Sequence, residues 1–141
     1  MTDDLPPFHP ALHGWQRVDD TGFIAMVGPL WHRIEDGALV MGFVAEDKHH
    51  NRRGVVQGGM IMTFADRALG AGTRHVSGGA PVATVQLDVH FVDATRIGAF
   101  VTTRPRVIRQ TSSLFFMEGD LVAAGGIVAS ARGIWKRVRP D

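Results

Sequence analysis

The chain has 141 residues, of which 45% are hydrophobic and 21% charged, with a formal net charge of +1. That is enough for one core rather than two, and its scattered Lys and Arg exclude the basic stripe of a nucleic-acid binder. There is no cysteine, which excludes disulfides, thiolate nucleophiles and Cys-based metal sites. The N-terminus, MTDDLPPFHP, opens acidic and holds close prolines. It lacks the basic start and apolar run of a signal peptide, and no stretch approaches the ~20 apolar residues of a membrane span. A soluble cytoplasmic protein, bound to neither membrane nor nucleic acid, is expected.

Residues 1–20 read as a lead-in, loose over 1–9, with a short helix over 10–19 that carries Leu12 and Trp15 and is weakened by Gly14. Residues 21–141 read as one domain. Residues 23–34 are apolar with Gly28 and Pro29 inside, which predicts a bent or bulged strand. Asp36-Gly37 is a hairpin signal. Beyond it Leu39, Met41, Phe43 and Ala45 alternate toward one side of a second strand. Residues 46–57 read as a loop, and residues 58–75 as the one long helix. Its apolar residues cover nearly the whole circumference, which predicts burial on most sides. Ser77-Gly78-Gly79 ends it.

The remainder is strand-like. Val85, Leu87, Val89 and Phe91 alternate with Thr84, Gln86, Asp88 and His90 at a period of two. Residues 98–109 predict a further strand with Pro105 at an edge or bulge. Two more follow over 112–121 and 127–138, joined by a turn at Ala124-Gly125-Gly126. A single helix leaves no room for repeated parallel crossovers. The fold class is therefore α+β, with a mainly antiparallel sheet around one long central helix.

The informative stretch is HHNRRGVVQGGMIMTFAD, residues 49–66. Gly58 and Gly59 stand where loop becomes helix. The first N–H groups of a helix have no internal partner and carry partial positive charge. Such an end can hold a carbonyl oxygen that is becoming an oxyanion; the same glycines would also serve as a plain helix start. Asp66 follows two turns later. Its helical neighbours, Met62, Thr63, Leu69 and Gly70, include no base, and Arg67 projects about 100° away. The carboxylate must be solvated, bonded from elsewhere or used for chemistry. Seven residues separate Gly59 from Asp66, so both lie on roughly one face and could serve one ligand.

This run resembles the signature of hot-dog-fold thioesterases, above all the PaaI-like branch named for phenylacetic acid degradation. That branch carries His-x-Asn-x-x-Gly-x-x-His-Gly-Gly and then an Asp in the helix. His49, Asn51, Gly54, Gly58, Gly59 and Asp66 fall at matching positions, and the resemblance extends from about Gly28 to Val138. It implies the hot-dog fold and hydrolysis of an acyl-CoA thioester. Asp66 would act as general base or nucleophile, Asn51 would orient water or thioester, and the Gly58 N–H would polarise the carbonyl. Thr84 would help to hold the water, unless it is an ordinary strand threonine. Gly54, Val56 and Gly59 would lie against the substrate. The resemblance also implies that Asn and Asp come from different subunits of a homodimer, which such proteins often pair into a tetramer. The chain departs at Gln57, where the family has His. Histidine exchanges protons near neutral pH; glutamine only donates and accepts hydrogen bonds.

No cofactor is implied, because coenzyme A belongs to the substrate. No metal is expected, since His49, His50 and His75 are poorly spaced for ligation. Arg106, Arg109, Ser112 and Ser113 are candidates for the coenzyme A phosphates, although Arg on a late strand is commonly plain surface. Two other functions compete. One is a non-catalytic acyl-CoA-binding protein, a sensor or carrier, which Gln57 permits. The other is an enoyl-thioester hydratase, which pairs a His with an acid where this chain has Asn and Asp.

Overall fold

Among the described residues, eight strands form one antiparallel sheet that curls around a long helix. In the computed structural model, which describes residues 7–139, the chain order is β1 (Gln16–Arg17), α1 (Gly22–Val27), β2 (Leu30–Glu35), β3 (Ala38–Val44), α2 (Gly58–Ser77), β4 (Val82–Phe91), β5 (Phe100–Thr103), β6 (Arg106–Gln110), β7 (Leu114–Ala123) and β8 (Gly126–Arg137). The sheet order is β1-β2-β3-β5-β7-β8-β4, with β6 paired to β7. This is the α+β hot-dog arrangement expected from the sequence.

Helix α2 starts on Gln57 as N-cap and stops on Gly78, whose φ of 74° suits a left-handed cap. Met60, Ile61, Phe64, Ala65, Ala68, Leu69 and Gly72 form its buried face, packed into a core that includes Phe43, Phe115, Met117, Leu121 and Trp135. The helix is not covered on most sides. A second stripe through Gly59, Met62, Thr63, Asp66 and Gly70 stays open or half-open. Its glycines and methionine read as apolar in sequence without packing as core.

The chain differs from the sequence reading in four other places. Residues 22–27 are helical rather than a bent strand. Ile24 and Val27, three apart, pack inward while Phe23 and Met26 face out, a helical spacing. The N-terminal helix is only a 3-10 turn, Pro10–His13, closed by Gly14 at φ 84° and followed by β1. The lead-in over residues 1–6 lies outside the described residues. The strand over 98–109 splits into β5 and β6 at Arg104-Pro105, where proline has no N–H for the ladder. The loop over 46–57 contains a 3-10 turn, Asp47–His49. The two tight turns are as read: Asp36 and Gly37 (φ 51° and 78°) and Ala124 and Gly125 (φ 52° and 78°) both take positive φ, as a two-residue hairpin of right-handed twist requires.

Strand β4 corrects the period of two. Its register with β8 slips between Thr84 and Gln86. Val85 is the bulged residue. The bulge turns Thr84 onto the helix side, together with Leu87 and Val89. A strict alternation would have placed Thr84 on the opposite face. The strand also ends the sheet: among the described residues β8 is its one neighbour, and Val85 and Phe91 are 58% and 55% exposed.

Candidate active site

Loop 50–56 is built around Asn51. Its Oδ1 accepts from the backbone N–H groups of Arg53 (2.8 Å) and Val55 (3.3 Å), and its carbonyl accepts from Gly54 N (3.0 Å). Gly54 takes φ 81°, which a side chain would strain. The Asn51 oxygen is thus committed to the turn, and its NH₂ group remains as a donor. Val56 is not presented to a ligand: its side chain is 6% exposed in the core and its N–H donates to Thr95 O (2.9 Å). It fixes the entry to α2.

His49 has a structural role. Glu46 N–H donates to its Nδ1 (2.9 Å), so the ring proton sits on Nε2, which donates to Val27 O (2.6 Å). Both ring nitrogens are engaged on a side chain 4% exposed, and the ring ties the loop to the end of α1.

At the start of α2, Met60 N–H donates to Gln57 Oε1 (3.2 Å). A Cβ at residue 59 would sit 2.5 Å from that same oxygen, so any other residue there makes the Gln57 side chain shift from this capping position. With Oε1 in use, Gln57 offers its Nε2 as donor beside the helix end. The Gly58 and Gly59 N–H groups have no acceptor among the described residues, as the first turn of a helix dictates. The Phe91 ring walls this end, 3.4 Å from where a Gly58 Cβ would lie. Replacing Gln57 with Ala is expected to cost about 0.5–2 kcal/mol of stability through the lost cap, read as a lower denaturant midpoint.

Asp66 lies about 12 Å further along the helix axis, eight residues at 1.5 Å each. The Thr84 hydroxyl donates to its Oδ1 at 2.6 Å. Among the described residues no cation pairs with it. Arg67 is turned away and directs Nε and Nη2 to Asp20 Oδ1 (3.1 and 2.9 Å). The carboxylate is therefore held by one hydroxyl and keeps Oδ2 open for a proton or an electrophile. Gly59 and Asp66 do share the open stripe, yet seven residues place them too far apart to meet one carbonyl within a single chain.

The remaining candidates lie apart from this group. Arg106 projects from the other face of the sheet, where it and Arg132 close on Glu118. That face holds a cavity of about 1040 Å³, but none of Asn51, Gln57, Gly58, Asp66 or Thr84 lines it, and Arg33 and Arg104 there pair with Glu35. Arg109 is exposed on β6, and Ser112 and Ser113 form the following turn. Sequence reasoning did not single out Phe91 as a site residue. The alternation of β4 carries the signal for its face, but only the fold brings the strand end to the helix start.

The thioesterase superfamily model matches residues 53–130, more than half of the chain. A Pseudomonas aeruginosa protein named provisionally as an esterase is 30% identical over 114 residues, covering 78% of this chain and 84% of that protein. Human acyl-coenzyme A thioesterase 13 is 24% identical over 98 residues, 68% of this chain and 70% of its own length. The Escherichia coli PaaI protein of the phenylacetic acid degradation operon superposes with a TM-score of 0.75 at 18% identity, over 84% of this chain and 86% of that one. With that family model over more than half of the chain, and a carboxylate that no cation pairs with among the described residues, the chain belongs to the thioesterase superfamily and is a thioester hydrolase.

Proposed function

We propose that the protein hydrolyses an acyl-CoA thioester to free acid and coenzyme A. The observation that carries this reading is Asp66, held by the Thr84 hydroxyl and paired with no cation among the described residues. The thioester carbonyl rests against the Gly58 N–H, aided by the amide donors of Asn51 and Gln57. Asp66 accepts a proton from water as that water attacks the carbonyl carbon, or attacks that carbon itself to give an acyl–Asp66 anhydride, which water then cleaves to the free acid with its proton passing to the thiolate. The tetrahedral oxyanion is held at the helix end, where one such donor is worth about 3–4 kcal/mol. Collapse expels the coenzyme A thiolate, which takes up the proton.

Two chains supply each site. A near-attack geometry needs the reacting atoms about 3–3.5 Å apart, whereas Gly58 and Asp66 of one helix are about 12 Å apart. The open edge of β4 offers the means. The outer edge of this ten-residue strand, without a neighbour among the described residues and with Val85 and Phe91 exposed, suits antiparallel pairing with the same strand of a second copy. A twofold axis there sets two α2 helices antiparallel, so that the start of each faces the Asp66 stripe of the other.

Thiol release from a panel of acyl-CoAs tests the hydrolase. The native protein is expected to release thiol catalytically from at least one member. Saturable acyl-CoA binding with no release above background would instead identify a carrier.

A further inference from the structure

A cavity of about 370 Å³ opens beside the helix end, between Phe23 and Val27 of α1 and Gln57, Gly59, Met60 and Thr63 at the start of α2. Its size is near the low end of the ~300–1,000 Å³ typical of small-molecule pockets. That accommodates an acyl group and not a coenzyme A nucleotide. It adjoins the Gly59 amide, so a thioester whose carbonyl lies at the helix end can send its acyl group into this space.

The far wall is α1, and α1 is held in place. The orphan carbonyls at its C-terminus are taken by side chains: Lys48 Nζ donates to Gly28 O (2.5 Å) and His49 Nε2 to Val27 O (2.6 Å). Just before α1, Asp20 is pinned to Arg67 of α2 by two hydrogen bonds. Ile24 and Val27 pack against the core. Phe23 does not: a large ring 60% exposed, on a fixed element, it borders a cavity rather than filling one.

We infer that α1 is the acyl-selectivity element and that Phe23 sets the length of acyl chain the enzyme accepts, favouring a single ring or a short to medium chain. The inference rests on the hydrolase reading above. Phe23, Val27 and Met60 give the acyl tail apolar contact, while Lys48, His49 and His50 line the polar side, so each methylene that must leave the apolar wall loses affinity for the transition state. In such pockets one methylene is worth about 10–200-fold.

The test uses the full-length protein and a series of straight-chain acyl-CoAs from acetyl to palmitoyl, with phenylacetyl-CoA added. Native protein, Phe23→Ala and Phe23→Trp are compared by kcat/KM and by equilibrium acyl-CoA binding. Phe23→Ala is expected to raise the ratio of long-chain to short-chain kcat/KM by about tenfold or more. Phe23→Trp is expected to shift preference toward the shortest members. Identical chain-length profiles for all three proteins would overturn the assignment. If no member releases thiol, the hydrolase reading fails separately, and the binding profile still reports whether Phe23 sets chain length.

Discussion

Replacing Asp66 with Asn is expected to slow thiol release by about 10²–10⁴-fold, the range spanned by a positioned general base, while acyl-CoA still binds. Asparagine matches the carboxylate in size and can accept the Thr84 hydroxyl through its Oδ1. It can neither take a proton from water nor attack a thioester. Folding should survive, because Asp66 belongs to no ion pair among the described residues: the neighbouring guanidinium is committed to Asp20. Thr84→Val isolates the other half of the arrangement. It removes the 2.6 Å hydrogen bond and leaves the carboxylate. A hydrogen bond to a charged group contributes about 1.5–3 kcal/mol, so a loss of about 10- to 150-fold is expected, at or below that of Asp66→Asn. Steady-state thiol release and the thermal midpoint of each variant provide the check. An Asp66→Asn protein with the native rate would refute the chemistry assigned to this residue.

The sequence carried the architecture because its signals were local. One long run of small and apolar residues between a glycine pair and Ser77-Gly78-Gly79 has no other good use than a central helix. Asp36-Gly37 and Ala124-Gly125 encode their turns in two residues each. What escaped depended on partners distant in the chain. Phe23 to Val27 has β-branched and aromatic residues enough for a strand, and only the core face that takes Ile24 and Val27 makes it helical. The bulge at Val85 is invisible in an alternating string, because the pattern reads equally well in either register until Thr84 must meet Asp66. The role of His49 was equally hidden. Its two partners are Glu46, within its own turn, and Val27, twenty-two residues earlier. Arg67 shows the reverse: its helical angle alone removed it from Asp66, and its partner, Asp20, came from the fold.

Mixing two inactive variants should restore activity if each site is shared. Asn51→Ala removes the loop donor, and Asp66→Ala removes the carboxylate; each homodimer then lacks one group in both of its sites. In a mixed dimer the twofold axis places the two lesions together in one site and leaves the other site wholly native. Random re-association makes half of all dimers mixed, each with one intact site of two, so about a quarter of native activity is expected. The proposed two-chain site predicts this outcome. Gly58 and Asp66 sit about 12 Å apart on one rigid helix, and no rotamer of an aspartate closes that gap. A site confined to one chain would instead leave both lesions where they began and recover nothing on mixing. Co-expression with two affinity tags separates the mixed dimer from its parents, and its specific activity, half that of the native protein, is the sharper measurement. A purified mixed dimer as inactive as its parents would place the whole site within a single chain and remove the reason for assigning β4 to the subunit contact.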